Sequence, residues 1–262
     1  MHMVDLGDVA LHYRIDGPAD GAPVVFANSL GTDMRLWDPI LPLLPDGLRV
    51  LRYDKRGHGL SSCPDAPYAM GALVSDAERL MDHLGFADAL FVGLSIGGLI
   101  AQGLAVKRLD LMRAMVLSNT GAKIGTQAMW AERIAAVKAG GIEALADATM
   151  ERWFSRDFLA RPELGLWRNM LTRQPDAGYA GCSAAISGTD FYATTATLRL
   201  PSLGIAGSED GATPPDLVRE TIGLIPGSQF ALIRRAGHLP CVEQPGEYAR
   251  LLTDFMVATG HI

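Results

Sequence analysis

Basic clusters, long apolar runs and paired cysteines are all missing from this 262-residue chain, and each absence closes off a class of function. Twenty-nine acidic residues against 23 Lys and Arg leave a net charge of −6, with no basic segment on which phosphates could be gathered. That balance argues against a nucleic-acid or polyanion partner. No stretch approaches the roughly 18 apolar residues of a spanning helix, and Met1–Asp5 lacks a charged leader followed by an apolar signal core. The expectation is a cytoplasmic protein with no membrane partner. Cys63, Cys182 and Cys241 cannot all pair and lack metal-ligand spacing, so they are expected to be reduced, buried thiols, with Cys241, near His238, either lining the site or, the favoured reading, packing. The chain also lacks a Gly-x4-Gly-Lys-Ser/Thr phosphate loop, a dinucleotide-type Gly-x-Gly-x2-Gly opening its first helix, and a His-Glu-x2-His zinc pair. No cofactor or metal is required by anything in the sequence, and the oligomeric state is not legible.

What is present is a strong core pattern. Hydrophobic residues make up 48% of the chain, enough for a sizeable core. Short apolar runs alternate with helical periodicity, which predicts an α/β fold with a mostly parallel sheet flanked by helices. Strands are expected near Val9–Ile15, Pro23–Ala27, Leu48–Tyr53, Ala89–Val92, Ala114–Leu117, Leu203–Gly207 and Phe230–Ile233. Helices are expected near Leu36–Leu43, Met70–Leu84, Ile96–Ala105 and Glu247–Val257. Between Thr120 and Leu200 the pattern changes to Ala-, Met-, Trp- and Arg-rich segments of helical period, such as Ala128–Ala139 and Ile142–Phe154. Residues 1–119 and 201–262 therefore read as the core, and 120–200 as a helical cap inserted over the carboxyl ends of the strands, where open α/β sheets bind ligands.

One stretch carries chemistry. Phe91-Val92-Gly93-Leu94-Ser95-Ile96-Gly97-Gly98 ends an apolar run with Gly-x-Ser-x-Gly and continues into a helix, the pattern of a nucleophile elbow. A serine at such a sharp turn adopts a strained backbone, and glycines on either side let neighbouring chain approach. Ser95 is the expected nucleophile. An esterase of this architecture takes its acid after a late strand and its histidine after the last one. Asp210 follows the Leu203–Gly207 run, with Glu209 as its rival. His238 follows Phe230–Ile233, whereas His2, His12, His83 and His261 read as solvated or hydrogen-bonded bystanders. The expected triad is Ser95, Asp210 and His238.

With these residues in view, the chain resembles the α/β-hydrolase superfamily over nearly its whole length. The resemblance rests on the elbow, on Asp54-Lys55-Arg56-Gly57-His58-Gly59-Leu60-Ser61, on Gly207-Ser208-Glu209-Asp210 and on Ala236-Gly237-His238. Within the superfamily, Phe26-Ala27-Asn28-Ser29-Leu30-Gly31-Thr32-Asp33, Leu94–Gly98 and Leu117-Ser118-Asn119-Thr120 are similar to the bacterial 3-oxoadipate enol-lactonases. Haloalkane dehalogenases share the frame but resemble a version with Asp where Ser95 stands. Many relatives carry His-Gly where this chain has Asn28-Ser29-Leu30-Gly31, yet the donor needed there is a backbone amide, and Leu30 supplies one. Leu30 and Ile96 are the expected oxyanion pair, and Asp54–Ser61 reads as a structural loop.

The resemblance implies a small carboxylate-bearing lactone as partner. A cap arginine is the natural anchor for its carboxylate, because a guanidinium offers two parallel donors. Arg133 leads, followed by Arg152, Arg168 and Arg173. Trp130 and Trp153 either wall the pocket or simply pack. Competing readings are a broad carboxylesterase or perhydrolase on the same scaffold, and a noncatalytic ligand-binding receptor that keeps the fold.

Overall fold

The structure, a computed structural model, describes residues 2–262. Eight strands form one sheet: β1 (His2–Asp5), β2 (Ala10–Asp16), β3 (Ala22–Ala27), β4 (Leu48–Tyr53), β5 (Ala89–Leu94), β6 (Met112–Ser118), β7 (Ser202–Gly207) and β8 (Gln229–Ile233). Their order is β1-β2-β4-β3-β5-β6-β7-β8. β2 runs antiparallel to both of its neighbours, and β4 through β8 are joined by parallel pairings. β5 and β7 are buried along their whole length, which is why they read as unbroken apolar runs and not as alternating ones.

From β3 the chain crosses to β4 on one side and later to β5 on the other, so the sheet has a topological switch point between β3 and β5. The crevice beyond the carboxyl ends of such strands is where open α/β sheets bind ligands. The loop after β3 and the turn after β5 flank it. The loops after β7 and β8 open at the same edge of the sheet, because those strands run parallel to β5 and β6.

Helices α1 (Met70–Leu84) and α2 (Ile96–Lys107) pack on each other, and α2 packs on β3, β5 and β6. α1 is amphipathic: Leu73, Val74, Ala77, Leu80 and Met81 recur at helical spacing and are buried. It stops at Gly85, whose left-handed conformation lets its amide reach the carbonyls of Met81 and Asp82. Between β6 and β7 lie α3 (Gln127–Gly140), α4 (Ala146–Trp153), α5 (Arg156–Leu159), α6 (Leu164–Thr172), α7 (Asp176–Ser187) and α8 (Tyr192–Thr195), with α3 packed on α7. α9 (Pro215–Gly223), α10 (Pro240–Glu243) and α11 (Pro245–Ala258) complete the chain. Among the described residues no helix is long and apolar enough to cross a membrane.

Several sequence expectations change. Leu36–Leu43 is not a helix but two 3-10 turns, Met34–Trp37 and Leu41–Leu43. Pro39 and Pro42 remove backbone donors and disfavour helical geometry in the residues before them. Ile142–Phe154 divides into a 3-10 turn, Ile142–Leu145, followed by α4. The edge strand β1 is not legible in the sequence, where a single buried residue, Val4, gives it no pattern. Cys63 is exposed, whereas Cys182 and Cys241 are buried.

The turn after β5 depends on close backbone approach. A Cβ on Gly93 would run into the Gly97 carbonyl, and one on Gly97 into the Ala27 carbonyl of β3. Gly97→Ala is therefore expected to destabilise the protein by about 1–3 kcal/mol or more, the usual cost of overpacking. Gly71→Ala, exposed in α1 with open space around it, should instead be neutral or stabilise by up to about 1 kcal/mol. Urea midpoints of the two variants test the contrast, and equal midpoints would refute it.

Candidate active site

Ser95 sits at the tip of the β5–α2 turn with φ +58° and ψ −116°, a conformation that side chains other than glycine rarely adopt. The turn is tied on both sides. The Ser95 amide donates to the Ser118 carbonyl at 2.9 Å, and the Ser95 carbonyl accepts from Thr120 Oγ1 at 2.7 Å. Ser95 Oγ has no protein hydrogen-bond partner among the described residues, and Ser95 and His238 border the same cavity. Ile96 opens α2, so its amide belongs to the first turn, whose donors lack intrahelical acceptors.

His238 and Asp210 meet at that cavity. Nδ1 of His238 lies 2.9 Å from Asp210 Oδ2. The same oxygen accepts from Asn119 Nδ2 and Thr213 Oγ1, each at 2.8 Å, and Oδ1 accepts from the amides of Ala212 at 2.7 Å and Thr213 at 3.0 Å. Burial opposes the charge on this carboxylate. The interaction with His238 and the donors from Asn119 and Thr213 outweigh it and hold the carboxyl below its usual range. Glu209 is exposed, and its carboxylate accepts from the Arg156 amide at 3.1 Å instead. The structure thus brings Asp210, not Glu209, to the histidine.

On the far side of the imidazole, Nε2 lies 3.3 Å from Ser29 Oγ. Ser29 and Leu30, in the loop after β3, border the same cavity. The Leu30 amide has no protein acceptor among the described residues, whereas the next amide, Gly31, donates to His58 Nε2 at 3.0 Å. Unpartnered backbone N–H groups, such as that of Leu30 at this cavity and those in the first turn of α2, are the kind of donor that can receive an oxyanion.

The 120–200 segment contributes the opposite wall. Arg133, Trp130, Arg152 and Trp153 all border the cavity. Arg133 is held by two neutral oxygens, Tyr179 Oη and Thr149 Oγ1, both at 2.8 Å. Arg152 donates only to the Gly211 carbonyl at 3.2 Å, and burial together with the nearby Arg133 charge lowers its pKa. Among the described residues neither arginine forms an ion pair, and no Asp or Glu borders the cavity. Arg168 and Arg173 lie away from it: Arg168 is paired with Glu143 and Asp147, and Arg173 borders a separate cavity with Arg35 and Asp54. Trp130 donates Nε1 to the Ile124 carbonyl at 2.6 Å, and the Trp153 ring lies 6.3 Å from the His238 ring and roughly parallel to it.

Asn119, Thr213 and Ser29 carry much of this geometry, and no sequence motif marks them as site residues. Asn119 takes a positive φ of 46°, which asparagine tolerates better than most residues, and this is the one local signal available. Among the described residues no group of three or more His, Cys, Asp or Glu is arranged to hold a metal ion.

Comparison with known proteins agrees with this frame. Residues 24–251 match the Alpha/beta hydrolase family. The chain is 35% identical over 240 residues to 3-oxoadipate enol-lactonase 2 of Acinetobacter baylyi, covering 91% of this chain and 90% of that protein. The solved enol-lactonase of Burkholderia xenovorans LB400 superposes with a TM-score of 0.94 at 35% identity, covering 98% of this chain and 100% of that one. A hydrolase from Pseudomonas aeruginosa gives 0.93 at 36% identity, covering 97% of each. With likeness running over nine-tenths or more of each chain compared, this protein is a hydrolase and belongs to the alpha/beta hydrolase family.

Proposed function

We propose that the protein is a serine hydrolase that opens 3-oxoadipate enol-lactone to 3-oxoadipate in the breakdown of aromatic compounds, with residues 120–200 acting as the cap that selects the substrate. The observation that carries the substrate class is the pair of guanidiniums, Arg133 and Arg152, facing the cavity of Ser95 and His238 without a carboxylate of their own. An arginine left without a counter-charge in a partly buried wall is costly unless a ligand anion joins it. Similarity to enol-lactonases at 35% identity supports the same choice.

In the proposed reaction His238 Nε2 takes the Ser95 proton as Oγ attacks the lactone carbonyl, and Asp210 stabilises the resulting imidazolium. The Leu30 and Ile96 amides hold the oxyanion. Collapse of the tetrahedral intermediate breaks the ring C–O bond, and the imidazolium proton passes to the departing enol oxygen. The enol remains attached to the acyl chain, and its conversion to the ketone makes ring opening hard to reverse. A water then gives its proton to His238 as it attacks the acyl carbon, and Ser95 leaves with that proton.

Three outcomes test this reading. Ser95→Ala should abolish turnover while leaving the melting temperature near the parent's, because Ala occupies the same elbow without the nucleophile. Persisting hydrolysis by the folded variant would sink the assignment. Asp210→Asn should lower kcat by about 10⁴-fold through the wrong histidine tautomer, whereas Glu209→Gln should leave kcat near the parent's. Reversal of those phenotypes would transfer the role to Glu209. Arg133→Ala and Arg152→Ala should each lower kcat/KM for the enol-lactone about 10- to 100-fold, as expected for lost charge-assisted hydrogen bonds, and hardly change hydrolysis of a small neutral ester. Equal losses on both substrates would favour a broad carboxylesterase with structural arginines.

A further inference from the structure

The loop that carries Leu30 rests on a buried cation outside the proposed triad. Lys55 is 3% exposed, and Nζ donates to the Ser29 carbonyl at 2.7 Å and to the Thr32 carbonyl at 3.1 Å. Among the described residues it has no ion-pair partner. The Ser29 carbonyl and the Leu30 amide are the two ends of one planar peptide group. A positive donor on the oxygen draws electron density through that group and makes the N–H at its other end a stronger donor, the usual cooperativity of chained hydrogen bonds. The remaining contacts keep the peptide in one orientation. Thr32 Oγ1 also donates to the Ser29 carbonyl at 2.9 Å, and Asn28 is fixed by Tyr53 and Trp37. His58 accepts the Gly31 amide, removing that N–H as a competing donor.

We propose that Lys55 is a positioning residue that orients and polarises the Ser29–Leu30 peptide as oxyanion donor, with its charge acting on the transition state through that one peptide. The inference rests on Leu30 being the donor in the proposed reaction. Lys55 influences the reacting atoms without touching them, so its loss should reduce kcat and spare KM.

The groups facing Lys55 make its charge readable by pH. They are Asp33 from the loop after β3, Asp54 and His58 from its own loop, and Cys182 from α7. Burial depresses the Lys55 pKa to about 8, partly offset by Cys182, Asp54 and Asp33. Burial pushes the Cys182 thiol up to about 12, and burial with the Lys55 charge holds His58 well below its usual range. Near pH 8, therefore, Lys55 changes charge while His58 stays neutral and Cys182 stays a thiol. The ammonium is present below that pH and lost above it.

Lys55→Met on the full chain should lower kcat about 10- to 100-fold on p-nitrophenyl acetate and on the enol-lactone alike, less than the roughly 10²- to 10³-fold of deleting a donor outright. KM should stay within about threefold, and labelling by a serine-directed phosphonate should slow in parallel with kcat. The parent's kcat should fall through an alkaline limb near pH 8 that the variant lacks. In the unmodified protein, the Ser29 carbonyl carbon NMR shift should titrate with that same midpoint, a readout that stands even if Lys55→Met fails to fold. A folded Lys55→Met enzyme with the parent's kcat, or a Ser29 carbonyl shift flat through pH 8, would overturn the proposal. If Ser95→Ala is inert while Lys55→Met keeps the parent's kcat, only the role of Lys55 falls. Turnover retained in Ser95→Ala would remove the underlying reading itself.

Discussion

The backbone of Ser95 is the constraint around which the rest of this molecule is arranged. A serine at φ +58° costs on the order of 1–3 kcal/mol and persists only when its surroundings over-determine it. Here they do so from two neighbouring strands, β6 and β3. β6 takes the Ser95 amide, the residues just beyond β6 supply Thr120 to its carbonyl, and Gly97 lets α2 start hard against Ala27 of β3. The close approach that strains the turn also sets the first turn of α2 beside the loop after β3.

The inserted helices are joined to the same edge through main-chain atoms. The carbonyl of Arg152 accepts from the Gly211 amide at 3.1 Å, and that of Trp153 from the His238 amide at 2.7 Å. Just beyond α4, Ser155 donates its amide and hydroxyl to Glu243, whose other oxygen accepts the Gly237 amide at 2.6 Å. Burial raises the pKa of this carboxyl, and the donors from Ser155 and Gly237 counter it. The end of α4 thus bonds both the acid loop and the histidine loop while its Arg152 side chain faces the cavity.

These relationships explain which parts of the molecule are legible in the sequence. The elbow is, because a close approach that only glycine permits leaves Gly93 and Gly97 at fixed offsets from Ser95. The parallel core is, because strands buried on both faces must be continuously apolar, as β5 is. Leu36–Leu43 misleads because its apolar spacing outweighs two prolines. Sequence position leaves Asp210 and Glu209 open, and only the fold separates them, turning one inward to five donors and the other outward to Arg156. Asn119 escapes notice because its partners, Asp210 and Gly237, lie far along the chain, whereas Thr213 lies only three residues from Asp210 but in no motif that marks it. The bonds that seat the insert use carbonyl oxygens, which every residue possesses and no sequence pattern marks.

The placement of charge follows a related logic. In a protein with a net charge of −6, Arg133 and Arg152 border this cavity, Lys55 bonds the carbonyl of Ser29 in its wall, and among the described residues no Asp or Glu borders it. Pairing any of these cations with a carboxylate would ease its desolvation but would also cancel the field it projects. The fold instead satisfies them with neutral oxygens: Tyr179 and Thr149 for Arg133, Gly211 for Arg152, and the Ser29 and Thr32 carbonyls for Lys55. Hydrogen-bond geometry is met without a carboxylate in direct contact with any of the three, although Asp33 and Asp54 face Lys55 and Asp210 acts on Arg152 from farther off. Asp210, the one carboxylate hydrogen-bonded to His238, sits behind the imidazole where its charge acts on the histidine. In the proposed reaction negative charge arrives with the substrate and grows on its carbonyl oxygen, so a site whose cations are hydrogen-bonded by neutral oxygens and not by carboxylates keeps more of their charge available for both.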